Sequence, residues 1–481
     1  MLIDRMSRSQ SIEEEAEMPA PEPWDLVVVG AGSAGLVASK TAAGFGARVL
    51  LAERDRLGGD CLWTGCVPSK TLIAAANHTE TIAFAAVMDS VAAAIAVIAP
   101  TDSKESLERD NVTVRLGEAH FTSPRTLTVN GEQIVFRQAI VATGTTPAMP
   151  AIEGIDDVSV LTSDSFWDLR ELPPRLAIIG GGAIACELGQ AMARLGSHVT
   201  IVQHGSRLLP KEQPEASTIV KTALEADGVR ILTGRTAAHV RSADGLSGEL
   251  ALDDGTVVGF DRMLVAVGRR PRNDSLGLTA AGVRLDSAGY IEIDDSLRTT
   301  NPRIWAAGDA TGLPQFTHIA GVNGSIAATN AMLGLRRRID RRVVPRVTFT
   351  SPEVAAVGLQ ASDANARLHR VVTIEHRHSD RAVAESRTIG FTQIVVARNG
   401  RMLGGTIIGP RAGETVGELS LAVKLKLSTS SVAATTHPYP TFSDPLWNAA
   451  VQDVRFRLNR GAIKVVIRVL RWLRSLALTA S

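Results

Sequence analysis

The segment Gly58-Gly59-Asp60-Cys61-Leu62-Trp63-Thr64-Gly65-Cys66-Val67-Pro68-Ser69-Lys70 sets two thiols five residues apart. A pair at that spacing can close an intramolecular disulfide, and a helix starting there favours the thiolate that thiol–disulfide exchange requires. The 481-residue chain holds only 3 cysteines, too few for a disulfide-stapled fold. Cys61 and Cys66 therefore read as a redox couple, and a reducing, cytoplasmic compartment as their setting. Cys186, the third, reads as core packing.

A redox couple needs a source of electrons, and two stretches have the pattern of nucleotide sites. Residues 25–30 form a continuous β-branched strand that ends in Gly30-Ala31-Gly32-Ser33-Ala34-Gly35. A helical pattern over 36–44 and a second strand over 48–52 lead to Glu53. That is the dinucleotide fingerprint in its required context. Gly30 makes the tight turn, Gly32 admits a pyrophosphate, Gly35 lets helix and strand touch, and Glu53 can bind a ribose hydroxyl. The device recurs after a strand over 175–179, with Gly180, Gly182 and Ala185 in the three fingerprint places. At the end of its second strand, over 198–202, stands Gln203 rather than an acid. His204 and Arg207 follow as cations for a 2′-phosphate, which favours NADPH over NADH.

Together these motifs resemble the flavoprotein disulfide reductases, among them dihydrolipoamide dehydrogenase, glutathione reductase and mercuric reductase. The shared pattern is Gly-Gly-x-Cys, four residues, then Cys-x-Pro-x-Lys, and the resemblance runs over residues 24–452. It implies an α/β fold with two Rossmann-like dinucleotide-binding domains and an α+β C-terminal dimerisation domain. FAD would occupy 24–152 and 273–343, NADPH would occupy 153–272, and 344–452 would form a homodimer. Residues 1–23 read as a disordered extension. Further cofactor contacts are implied at Gly59, Lys70, Ala119, Thr143, Gly144, Gly268, Asp309 and Thr317. By the same analogy hydride passes from NADPH to flavin N5 and then to the disulfide. Cys66 would be the flavin-facing thiol, Cys61 the thiol that meets the acceptor, and Lys70 would lie near N5 paired with Glu187.

One segment departs from the family. Disulfide-reducing members carry His-Pro-Thr with a Glu five residues after the His, and that His protonates the departing thiol. This chain reads Thr436-His437-Pro438-Tyr439-Pro440-Thr441-Phe442-Ser443-Asp444. Aligned on Pro-Thr, Tyr439 holds the base position, Asp444 replaces the orienting acid, and a cis Tyr439–Pro440 bond is expected. A phenol with a pKa of ~10 is a poor base at neutral pH. Mercuric reductases also carry a tyrosine near this point, so a soft metal ion or other electrophile is the favoured acceptor. Their Cys-x-x-Cys and C-terminal cysteine pairs are missing here, and no resident metal site is expected. The alternatives are a dihydrolipoamide or low-molecular-weight disulfide reductase with a rebuilt base, and a membrane-surface redox sensor with slow turnover.

Composition bounds the rest. A net charge of +1 predicts no nucleic-acid partner. Residues 82–100 are apolar, but Asp89 at their centre argues for a buried or subunit-facing helix rather than a membrane span. Beyond Asp453, Arg457, Arg460, Lys464, Arg468 and Arg471 fall on one helix face, and Ile463, Val466, Ile467, Leu470 and Leu473 on another. Such a basic amphipathic extension, 453–481, can touch an anionic membrane surface or pack as a terminal helix, and Gly461 interrupts it.

Overall fold

A computed structural model describes residues 22–77 and 82–479, so the expected N-terminal extension lies almost wholly outside the described residues. The chain opens with β1 (Trp24–Val29), α1 (Ser33–Gly44) and β2 (Val49–Glu53), followed by α2 (Gly59–Trp63), α3 (Cys66–Ala76) and α4 (Phe84–Ile98). With β3 (Val112–Leu116), β4 (Glu132–Val141) and a returning strand after the second domain, the parallel sheet is ordered β3-β2-β1-β4. The continuous run Leu26 to Val29 is buried on both faces, as a parallel strand between two layers must be.

The second domain repeats the plan with β5 (Arg175–Ile179), α5 (Ala183–Arg194), β6 (His198–Gln203), β7 (Arg230–Thr233) and β8 (Arg262–Val265). Its parallel order is β7-β6-β5-β8. The chain then returns to the first sheet through β9 (Ile304–Ala306), which lies beside β4 and leads to α6 (Thr317–Leu333). Helices α1 and α6 meet where Gly324 presses on Ala34, leaving no room for a Cβ. The last domain is an antiparallel sheet of β10 (Arg346–Thr348), β11 (Glu353–Gly358), β12 (His369–Glu375), β13 (Phe391–Ala397) and β14 (Met402–Gly409). It is covered by α7 (Ala412–Lys424) and α8 (Asp444–Leu458), and α9 (Gly461–Thr479) follows.

One apolar cluster crosses the domain boundaries. Leu72, Phe84, Val87 and Met88 of the first domain pack with Ile178, Cys186 and Met192 of the second and with Val354 and Ile408 of the third. Burying several such side chains at ~1.5–3 kcal/mol each fixes the domains against one another. The helical stretch Phe84–Arg109 is long and apolar enough to cross a membrane by length and composition. Its face carrying Phe84, Val87, Met88 and Val91 is nevertheless committed to this cluster, and Asp89 pairs with Arg170 at 3.5 Å.

The C-terminal boundary read from the sequence shifts. Asp453 does not open an extension; it is buried inside α8, where Arg370 donates to it (2.8 Å), as do Arg457 (2.9 Å) and Thr429 (2.6 Å). Arg457 is therefore an anchor of the third domain and not part of a free basic face. The break falls at Gly461, whose φ of +58° suits a residue without a side chain.

Candidate active site

The glycines of the first nucleotide unit act by their lack of a Cβ. Gly30 (φ +101°) lies against the backbone of Ala142 and Thr143, and Gly59 (φ +60°) rests on the Cα of Gly32. Gly35 touches the Gly30 carbonyl, where any side chain would overlap it. Glu53 accepts the Ala31 N–H (2.7 Å) and the Asp55 N–H (2.9 Å), holding the turn that a ribose would meet. The second unit repeats this geometry, with Gly180 (φ +116°) against Ala266 and Val267.

Both units open into one cavity of about 1650 Å³. Its walls include Gly30, Gly32, Glu53, Gly59, Lys70, Ala119, Thr143, Gly144, Gly180, Gly182, Gln203, His204, Gly268, Asp309 and Thr317, together with Cys61, Cys66 and Glu187. Gly35 and Ala185 lie outside it and serve helix–strand packing. The cradle left by the first set of glycines, and the half-buried Asp309 at its end, fit FAD. Burial pushes the Asp309 carboxyl up, while nearby Arg269 and a hydrogen bond from Thr145 (3.3 Å) pull it back.

Cys61 sits in the short α2, and Cys66 is the first residue of α3, at the positive end of that helix dipole. The Cys66 Sγ is 3.3 Å from the hydroxyl of Thr317, itself the first residue of α6. A hydrogen bond from Cys61 lowers the Cys66 pKa to about 6 against the resistance of burial, with help from Thr317 and Lys70. The same hydrogen bond, with burial, pushes Cys61 far up. The dithiol thus keeps one proton on Cys61 and presents a thiolate on Cys66. Cys186 is buried and held protonated, as packing requires.

Lys70 and Glu187, 117 residues apart, form an ion pair of 2.8 Å. Glu187 is nearly buried (8% side-chain exposure) and Lys70 is not (37%). The second Glu187 oxygen accepts the Phe349 N–H (2.9 Å), and the Lys70 ammonium lies 4.3 Å from the centre of the Phe349 ring. One carboxylate therefore joins α3, α5 and the segment that follows β10.

Sequence reasoning missed several residues. Arg269 reaches Asp60, next to Cys61, and also donates to Thr145 (2.8 Å) and Ser163 (2.9 Å). Only its place beside Gly268 hinted at this. The sequence expected Arg207 at the second site, and the structure places its side chain elsewhere. Arg207 turns back on its own loop, donating to the Glu212 (2.6 Å) and Pro210 (2.9 Å) carbonyls, and does not line the cavity. Arg235 lines it instead, next to Gln203 and His204, and is paired with Asp254 at 2.7 Å. His204 is held by the Thr236 hydroxyl at 2.9 Å.

Tyr439 and Asp444 do not line the cavity of their own chain. The Tyr439–Pro440 bond is cis, as expected. Tyr439 is 71% exposed, and its hydroxyl donates to Asp380, which raises the phenol pKa further. Asp444 is not its orienting acid: it accepts from the Thr441 N–H and hydroxyl, both at 2.9 Å, at the start of α8. His437 has found an acid of its own, Glu418 on α7, at 2.8 Å. Burial opposes its charge, but the bonds to Glu418 and the Thr435 carbonyl outweigh that and raise its pKa.

The Glu187 junction yields a graded prediction. Glu187→Gln keeps an acceptor for Phe349 but loses the ion pair, at a cost of about 1 kcal/mol because the Lys70 end is partly open to solvent. Glu187→Ala also strands the Phe349 N–H and should cost about 2–4 kcal/mol. Thermal unfolding midpoints should fall in the order wild type, Gln, Ala, and equal midpoints would remove the junction from the stability account.

Comparison with known proteins agrees with this geometry. Residues 24–324 match the model for pyridine nucleotide-disulphide oxidoreductases, and 344–450 match the dimerisation domain of the same family. A mercuric reductase of Bacillus cereus is 35% identical over 443 residues, covering 88% of this chain and 70% of that protein. A dihydrolipoyl dehydrogenase of Geobacillus stearothermophilus is 34% identical over 452 residues, 89% of this chain and 95% of its own. Among solved structures, the Cu(II) complex of the HOCl-induced flavoprotein disulfide reductase RclA from Escherichia coli superposes with a TM-score of 0.83 at 28% identity, covering 90% of this chain and 99% of that one. The two nucleotide units, the thiol pair between them and the Lys70–Glu187 bridge are thus the site of a family member: the chain belongs to the pyridine nucleotide-disulphide oxidoreductases, FAD-dependent enzymes that use NAD(P)H.

Proposed function

We propose that this enzyme draws electrons from NADPH and delivers them through the Cys61–Cys66 dithiol to a soft, thiophilic acceptor, a mercuric-type metal ion first among them. FAD, when bound, supplies the two-electron relay between nicotinamide and disulfide. The observation that carries the choice of acceptor is the state of Tyr439. A phenol that donates to Asp380, with its pKa raised, is a weaker acid than the thiol it would have to protonate and cannot replace the histidine of a disulfide reductase. A metal ion held by two thiolates needs no proton on a departing thiol, so that loss is harmless for it. The likeness to proteins named mercuric reductase supports the same acceptor class.

In this reading Cys66 stays ionised and Cys61 carries the proton, so the pair offers one nucleophile at rest and a second once Cys61 is deprotonated by the incoming cation. Lys70 holds positive charge beside the flavin position, and Glu187 keeps it there. Arg269 fixes Asp60 and with it the turn that bears Cys61. The dimerisation domain supports a homodimer, and this reading sets segment 436–444 of one subunit against the thiols of the other. The reading includes a cytoplasmic location, where a working dithiol stays reduced.

One observation favours a second reading, a disulfide reductase with a rebuilt acid–base pair. His437 is bonded to Glu418 at 2.8 Å, and its raised pKa suits it to protonate a thiolate. An anaerobic NADPH-oxidation assay of the FAD-loaded enzyme separates the two. With Hg(II) in excess thiol, turnover is expected and is lost in Cys61→Ser, while lipoamide and glutathione disulfide stay inert. Brisk disulfide turnover abolished by His437→Gln would overturn the metal reading in favour of the second.

The NADPH preference rests on Arg235, a cation of the cavity wall whose backbone N–H donates to the Gln203 carbonyl at 3.2 Å. Removing a charge-assisted hydrogen bond to phosphate costs about 1.5–3 kcal/mol. Arg235→Ala should therefore raise KM for NADPH about 10- to 100-fold and leave KM for NADH unchanged. An equal effect on both nucleotides would assign Arg235 to Asp254 and the loop alone.

A further inference from the structure

Helix α9 has no place in the chemistry described above. It follows the positive-φ Gly461, and the apolar side chains Val465, Val466, Val469, Leu470, Trp472 and Leu473 are each 47–60% exposed. At about 100° per residue these six fall within one arc of about 160°. Lys464, Arg468, Arg471 and Arg474 fill the opposite arc, and no acid occurs after Asp453. Ile467, grouped with the apolar residues in the sequence reading, falls among the cations instead. Trp472 sits at the boundary, beside Arg468, the position an indole takes at a membrane–water interface.

This charge pattern selects the occupant of the apolar face. A second α9 placed against the first by two-fold symmetry would cover the apolar arcs but leave four cations on each helix facing outward, with no acid on either helix to meet them. A surface of lipid phosphates complements the cations and takes up the apolar arc in the same contact. We propose that α9 lies in the plane of an anionic bilayer, its Val-Leu-Trp arc in the acyl boundary and its four cations at the headgroups. The enzyme would then work at a membrane surface, held through its C-terminal helices and with its cavity in the aqueous phase.

Co-sedimentation of the FAD-loaded full chain with vesicles tests this. Binding is expected to equimolar phosphatidylcholine and phosphatidylglycerol, with little binding to phosphatidylcholine alone. Each of Lys464→Gln, Arg468→Gln and Arg471→Gln should weaken binding roughly fivefold, and Leu470→Glu should abolish it. The blue shift of fluorescence on adding vesicles should vanish in Trp472→Phe. NADPH oxidation in vesicle-free solution should be unchanged in all these variants, which also reports that they fold. Absence of binding to anionic vesicles, or equal binding to both compositions, overturns the proposal. So does dissociation of the dimer when the chain is ended at Asn459, since a second copy would then cover the face.

Discussion

Glu187 is the residue on which the arrangement of domains and thiols converges. It projects from the second nucleotide domain, takes the ammonium of Lys70 from the helix that Cys66 begins, and accepts a backbone N–H from the third domain. Each partner alone would leave a nearly buried carboxylate under-satisfied, which is expensive in a site of low dielectric. With both, the carboxylate fixes the distance between the two nucleotide units across the cavity. The apolar cluster of Leu72, Ile178, Cys186, Val354 and Ile408 lies at the same junction and supplies the non-directional part of the restraint.

That restraint has an electrostatic consequence at the thiols. Cys66 stands at the N-terminus of α3 and faces the first residue of α6, so two helix ends point at one sulfur. Cys61 completes the arrangement by keeping its proton and donating a hydrogen bond to that sulfur. The asymmetry between the cysteines therefore follows from where helices begin. Arg269 secures it from the other side through Asp60, Thr145 and Ser163, tying the turn that bears Cys61 to the crossover between domains.

Much of this was legible in the sequence because it is local. The two fingerprints specify strand, tight turn and helix within about 30 residues, and the observed strands and helices differ from expectation by no more than three residues at their ends. Lys70 and Glu187 came from a motif, and the structure brings them together. What stayed hidden were contacts between side chains far apart in the chain. Asp60 and Arg269 are 209 residues apart, and Tyr439 finds Asp380 across 59 residues rather than Asp444 nearby. Arg207 had the right charge and spacing, but free carbonyls in its own loop captured it, and Arg235 came instead from the end of the next strand. Asp453 is the last acid in the sequence and so marks a change of composition; its burial beneath Arg370 and Arg457 depends on a strand more than 80 residues earlier.

The most direct measurement of the central claim is the pH dependence of the long-wavelength absorbance of the Cys66 thiolate against bound FAD, after anaerobic reduction with limiting NADPH. The account predicts a midpoint near pH 6, with the band fading as acid protonates Cys66. In Cys61→Ala, which lacks the hydrogen bond that does most to lower the Cys66 pKa, the midpoint should move upward. A wild-type midpoint near the ordinary thiol value of ~8.5, unmoved in that variant, would contradict the account.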